Sequence, residues 1–390
     1  MTPRPAASTD VPFRTGYVYH PLFAWHDTGT SAGLRPADPL AGVQPGQHVE
    51  AADAKRRTHE LIHACGLLRE LVVIEPREAT MTELLRVHTG EHVQRIKEQS
   101  ERSGGDAGDG FSPVGRGSYD IARLAAGGLV ELVTAVAKGE VTRGYALTRP
   151  PGHHATADTS MGFCLFNSLA VAARHAQAEL GLPRIAIVDW DAHHGNGTQS
   201  IFYTDPTVLT ISLHQALSYP PNSGWIHEHG VRDGTGYALN VPLPAGSGHA
   251  AYLKAMRQVV LPALDRFKPD LILLAAGFDA NAWDPMARQV LTADSYRTMT
   301  RLLADAADRL CHGRLVAAHE GGYNPWYVPF CVLAFLEELS GHTTGIPDPY
   351  ADVAAEYAAE PLLRHQDEVI QETTEFLKLI RPPTTASTSN

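Results

Sequence analysis

Two carboxylates and an imidazole lie close together in Asp189-Trp190-Asp191-Ala192-His193-His194-Gly195-Asn196-Gly197. Four other stretches share that character: Arg149-Pro150-Pro151-Gly152-His153-His154, Ser212-Leu213-His214, Gly277-Phe278-Asp279 and His319-Glu320-Gly321-Gly322-Tyr323. Each has an ordinary explanation when taken alone. A His-His pair in a loop is usually solvated, and an Asp at a strand end more often caps a helix than binds a metal. Gly-Gly-Tyr is usually a turn beside a packed aromatic. Those explanations would have to hold independently in all five stretches. Asp191, His193 and Asp279 on one rim would also leave uncompensated charge, which a divalent cation neutralises. Two Asp and one His suit Zn²⁺ with an open position. Mn²⁺ and Fe²⁺ fit too, because affinity alone does not choose the metal. Asp191 and His193 are two apart on a strand and so point to the same side. His153 and His154 can carry protons, and Tyr323 on its glycine turn can donate to a developing oxyanion.

Such groups need a frame that delivers them to one edge. Apolar runs predict strands over 15–19, 71–75, 144–147, 184–190, 207–213, 270–276 and 314–318. Amphipathic runs predict helices over 51–67, 118–138, 166–180, 248–267, 292–310 and 325–339. Strands apolar on both faces, alternating with helices, indicate a parallel sheet covered on both sides. In such folds ligands sit beyond the C-terminal ends of the strands, which is where the five stretches fall. Two Gly-rich segments, 26–48 and 103–117, read as long exposed loops of the kind that tend to serve function. Residues 1–14 and 381–390 have the composition of disordered tails, leaving one domain over 15–380.

Composition narrows the class. A net charge of −11 argues against a nucleic-acid binder. No apolar run approaches the roughly 18 residues of a membrane span, and the first residues hold no secretory apolar core. The four cysteines are far apart and form no C-x-x-C pair, so a reducing cytoplasm is the expected setting. The 20 histidines against 6 lysines are only a hint.

Six motifs in order resemble the zinc-dependent histone deacetylase family, and more closely its class II-like bacterial deacetylase and amidohydrolase members, whose relatives include acetylpolyamine amidohydrolases. They are Pro150–His154 (Pro-Pro-Gly-His-His), Gly162-Phe163-Cys164-Leu165-Phe166-Asn167, Asp189-x-Asp191-x-His193-His194-Gly195-Asn196-Gly197-Thr198, Ser212-Leu213-His214, Gly277-Phe278-Asp279 and Glu320-Gly321-Gly322-Tyr323. The resemblance runs from about residue 16 to 350 and implies an arginase/deacetylase fold, α/β, with a central, mostly parallel eight-stranded sheet. It implies one Zn²⁺ on Asp191, His193 and Asp279, tandem histidines His153 and His154, and a transition-state tyrosine, Tyr323. The histidine partners fall on Asp189 and Asn196. The resemblance also implies one or two structural K⁺ ions. One would be held by Asp189, Asp191, His193, Ser212 and Leu213, and a second by carbonyls of Phe202, Asp205 and Val208 near Tyr237. Gly162, Phe163 and Tyr219 are expected at the acyl tunnel, with Asp109, His214 and Met286 at its rim.

The implied reaction is hydrolysis of an acyl-lysine or related N-acyl amine, by a homo-oligomer (dimer or tetramer). Acetylpolyamines and small xenobiotic amides stay open as substrates, although Met286 stands where a polyamine enzyme is expected to carry an acid. A binuclear manganese ureohydrolase on the same fold is disfavoured, because Gly195 and Asn281 replace the extra carboxylates a second metal needs. A non-catalytic binding protein is disfavoured by the presence of every catalytic group.

Overall fold

The eight short apolar segments that form the central sheet are seen in a computed structural model, which describes residues 14–102 and 104–382. They are β1 (Thr15–Val18), β2 (Leu71–Val73), β3 (Arg143–Ala146), β4 (Ile185–Asp189), β5 (Val208–Gln215), β6 (Ala238–Leu243), β7 (Leu271–Ala276) and β8 (Leu315–His319). Their order is β6-β5-β4-β7-β8-β3-β1-β2. Every pairing in it is parallel, so the sheet expected to be mostly parallel is wholly so. Each predicted strand is present within two residues of its expected ends. β6 is the strand not anticipated. Its Pro242 breaks the apolar pattern, and a residue without an N–H is tolerated because β6 lies at the sheet edge.

All residues of β4 and β7 are buried, as a sheet covered on both faces requires. Period-two alternation divides the core. Leu273 of β7 packs with Leu129, Val133 and Leu169 under the helices Ser118–Ala137 and Ser168–Glu179. Its neighbour Leu274 faces the other core, with Met299, Leu303 and Phe335 of the helices Ala293–Cys311 and Val328–Ser340. The predicted helix 248–267 is interrupted by a π-turn, Met256–Val260, between His249–Ala255 and Leu261–Phe267. Pro262 cannot donate into the preceding turn, and the wider turn accommodates that gap. Among the described residues no helix is long and apolar enough to cross a membrane.

Both expected loops contain structure. Residues 26–48 carry a small antiparallel sheet of Thr30–Ala32, Arg35–Pro36 and Gly46–Gln47. Residues 104–117 carry the hairpin Gly105–Asp106 with Pro113–Val114, pinned by the Asp106 carboxylate, which accepts from the N–H groups of Gly108, Gly110 and Ser112. Strands of two or three residues have no periodicity to read. The expected tails, apart from Arg14, Arg381 and Pro382, lie outside the described residues.

One buried ion pair fastens the first of these excursions. Arg149, just beyond β3, places its Nε 2.9 Å from both oxygens of Glu50 and donates Nη2 to the Glu50 carbonyl at 2.8 Å. Its Nη1 reaches the carbonyls of Phe23 and His26. Lys55 adds a second cation 3.2 Å from Glu50.

Candidate active site

The strands that end in polar clusters, β5, β4, β7, β8 and β3, are five consecutive neighbours in the sheet. Parallel register therefore brings their C-terminal ends to one place. From the end of β3 the chain passes Arg149 and presents His153 and His154. The His153 Nδ1 lies 2.9 Å from Asp189 Oδ2, and the His154 Nδ1 lies 2.7 Å from Asn196 Oδ1. The two rings are tilted 41° to each other with centroids 4.0 Å apart, yet their environments differ. Burial opposes a charge on His153, but Asp189 and Asp191 outweigh it and raise its pKa to about 10. Burial and the positive neighbours His153 and His193 hold His154 well below the usual imidazole range. One histidine is thus kept protonated and the other neutral.

Beside them, the ligand atoms of Asp191, His193 and Asp279 all lie within 4.8 Å of one another, and all three residues are buried. The His193 Nδ1 is 2.8 Å from Asp279 Oδ2 and 3.2 Å from Asp191 Oδ1. Each carboxylate also holds a backbone donor, Gly321 N–H to Asp191 Oδ2 and Ala192 N–H to Asp279 Oδ1, both at 2.7 Å. Gly321 has to be glycine. A Cβ there would stand 2.3 Å from Asp279 and 2.6 Å from Asp191 oxygens. Burial and the Asp191 charge push Asp279 up to about 6, the like-charge crowding that a divalent cation relieves. Two carboxylates and one imidazole at this spacing fit a catalytic zinc with an open coordination position.

Above the triad runs a narrow tunnel of about 80 Å³. Gly162, Phe163, Tyr219 and Met286, all expected there, line it together with Tyr323 and His154. Gly162 adopts φ +50°, and a Cβ would fall 2.5 Å from His154 and 2.7 Å from Tyr219. Burial and the nearby carboxylates Asp279 and Asp191 raise the Tyr323 phenol well above its usual range, so it stays a proton donor. Its backbone N–H donates to Asp284 at 2.8 Å.

Asp109 stands behind the tunnel lining. Its carboxylate accepts from the Tyr219 hydroxyl, the Gly162 N–H (3.1 Å), the Phe111 N–H (3.0 Å) and the Ser112 hydroxyl (3.0 Å). His214 is a correction. β5 continues to Gln215, so His214 is a strand residue, not a strand-end residue. Its nitrogens pair with Ser212 Oγ at 2.9 Å and Gly224 O at 3.0 Å, and it lines no part of the tunnel. Of the groups expected around potassium, the Ser212 hydroxyl thus meets His214, and the Phe202 carbonyl accepts from Asp205 N–H at 2.9 Å. Leu213 and Val208 are on β5 and pair with β6 and β4 respectively. The Tyr237 hydroxyl points to the Arg381 carbonyl at 3.5 Å.

Sequence reasoning missed several residues here. Leu34 and Phe111 complete the tunnel from the two loop excursions. Their only signal is a large apolar side chain isolated in a Gly-rich stretch. Glu320 is buried and accepts from the N–H groups of Gly152 at 2.7 Å and His153 at 3.1 Å, fixing the turn that carries the histidines. Burial pushes its carboxyl up to about 7. A larger groove of about 510 Å³, between the helices Ala293–Cys311, Val328–Ser340 and Ala351–Ala358, shares no residue with this centre.

The arrangement has known counterparts. A family profile described as histone deacetylase domain matches residues 48–339. A histone deacetylase-like amidohydrolase of Pseudomonas aeruginosa is 47% identical over 342 residues, covering 87% of this chain and 89% of that protein. A probable deacetylase of Archaeoglobus fulgidus is 36% identical, covering 83% of this chain and 90% of its own length. Among solved structures, the HDA15 HD domain superimposes with a TM-score of 0.79 at 33% identity, covering 93% of this chain and 95% of that one.

Proposed function

Since the chain belongs to the histone deacetylase family, we propose that it is an amide hydrolase that removes the acyl group from an acetyl-lysine or a related linear N-acyl amine. One observation carries the reading. Asp191, His193 and Asp279 converge at the foot of a narrow tunnel, with His153 paired to Asp189 and His154 to Asn196 beside them and a phenol in the same lining. A zinc held by those three residues would supply Lewis acidity toward the acyl oxygen and lower the pKa of a water.

This chain's own groups do the rest. Tyr323 donates a hydrogen bond to the acyl oxygen as negative charge develops there. His154 is neutral, so it accepts the proton of the attacking water and returns it to the leaving amine. His153, held charged by Asp189, supplies positive potential to the same centre. Phe163 and Met286 would shield the linker from water, and a space of about 80 Å³ between them suits a small acyl chain. Tyr323→Phe should keep its bound zinc and lose about 10²–10³ in turnover, in line with removal of one oxyanion donor. Near-normal turnover, read on acetyl-lysine, acetylpolyamine and anilide substrates with zinc-replete enzyme, would overturn the reading.

One transition metal per chain is part of this proposal. Gly195 has no room for a ligand, since a Cβ would stand 2.2 Å from Asp189 Oδ2. Asn281 is already committed to Phe278 O and Trp283 N–H. The structural potassium expected near Asp189, Ser212 and Leu213 belongs to the same reading. Metal analysis should find one zinc, with potassium, per chain; two transition metals would favour the binuclear alternative. Among the described lining residues none is acidic, which favours acyl-lysine or a neutral amide over an acylpolyamine.

A further inference from the structure

A cleft of about 400 Å³ lies directly beside the tunnel, between residues 27–36 and the hairpin segment 104–115. Leu34 and Phe111 line both spaces and so form the partition between them. The partition is held in place: the Phe111 carbonyl accepts from Phe163 N–H at 3.1 Å, and Arg35 lies 4.9 Å over the Phe111 ring. The cleft is lined by the hydroxyl residues Thr28, Thr30 and Ser31 and by glycines, which leave main-chain groups uncovered.

His48 also lines this cleft, although only 4% of its surface is exposed. Its Nδ1 accepts from the Glu50 N–H at 3.0 Å, and burial holds its pKa below the usual value, so the ring is neutral with its proton on Nε2. Among the described residues that Nε2–H has no protein acceptor. It is not sealed from water, so a group entering the cleft can take it. Its neighbours set the character of the acceptor. The Asp106 carboxylate is spent on three backbone N–H groups, while Asp27 at the edge disfavours an anion. A neutral carbonyl is the matching group. The other face of His48 meets Phe163 edge to face, with centroids 5.2 Å apart, so the same ring touches the tunnel wall.

We propose that the cleft is a second substrate subsite, which takes the amide-bearing part of the substrate outside the tunnel and holds one of its carbonyls on His48 Nε2–H. The idea rests on the deacylase reading for its kinetic test, and it selects extended, amide-rich acyl amines over those that fill the tunnel alone. The test compares N-acetylbutylamine, which occupies only the tunnel, with an acetyl-lysine carried inside a short neutral peptide. His48→Phe removes the donor and keeps a ring against Phe163. Thr30→Trp fills the cleft from an exposed position and guards against a folding defect in the first variant.

For the peptide, each variant should raise KM about tenfold, the scale of one lost hydrogen bond of about 1.4 kcal/mol, with kcat unchanged. N-acetylbutylamine kinetics should stay within about twofold in both. An unchanged ratio of kcat/KM between the two substrates in both variants would overturn the subsite. If the wild type hydrolyses neither substrate, the deacylase reading fails instead. Fluorescence anisotropy of the labelled peptide with the zinc-loaded protein then decides the subsite. Binding weakened in both variants supports it, and equal binding overturns it.

Discussion

At the level of single residues, the proposed mechanism turns on an inequality between two adjacent imidazoles. His153 faces a carboxylate and His154 an amide, and that difference adds to burial and to the neighbouring charges in setting the two rings apart. Asn196→Asp should narrow the inequality. A carboxylate beside His154 favours its charged form and raises its pKa. The neutral base would then become available only at higher pH, so the acid limb of the kcat/KM profile should move upward. A profile that stays in place would separate His154 from the proton transfer. Asn196 and Asp189 were legible in the sequence because both lie in a recognisable motif. The charges were not, since they arise from burial and from Asp191 and His193 arriving on another face of the same pocket. Glu320 escaped for a related reason, because its carboxylate acts on backbone N–H groups that no pattern of side chains reveals.

Elements matter here mainly through how they end. The four consecutive strands that carry the proposed chemistry, β4, β7, β8 and β3, could be read in advance, because parallel strands buried on both faces leave long apolar runs. β6 could not, being interrupted by Asn240 and Pro242. His214 shows the limit of reading ends: two extra strand residues turn an expected rim group into a packed one. Leu34 and Phe111 come from the turns beside miniature strands too short to show a period. The turn after β8 makes a sharp prediction. Gly321→Ala places a methyl against Asp191 and Asp279, the carboxylates proposed to hold zinc, so the purified variant should contain little zinc while keeping its far-UV spectrum. Full zinc occupancy would show that the turn can relax. Zinc itself should stabilise the native state by about 2.7 kcal/mol at a free concentration of 100 times its Kd. A chelator should therefore lower Tm, and added zinc should restore it.

For the molecule as a whole, the Arg149–Glu50 pair is the point where periphery and centre meet. Arg149→Met would leave Glu50 buried with only Lys55 beside it, and should cost roughly 3–5 kcal/mol in chemical denaturation. Burial opposes ionisation of Glu50, but Arg149 and Lys55 outweigh it and hold its pKa below the ordinary value. The sign follows from that depression: the pair's stability is present at neutral pH and is lost as pH falls through the carboxylate range. The wild type should therefore lose more stability on acidification than the variant does. Neither residue stood out in the sequence, because an ion pair 99 residues apart leaves no spacing to notice. The same guanidinium grips the chain at Phe23 and His26, where residues 27–49 depart, and at Glu50, where they return. Entry and exit are thus fixed at one anchor that is independent of what lies between them. The intervening segment is in effect a cassette. Exchanging it for the corresponding stretch of a relative should reshape the tunnel entrance while the histidines behind Arg149 keep their positions and the zinc its affinity.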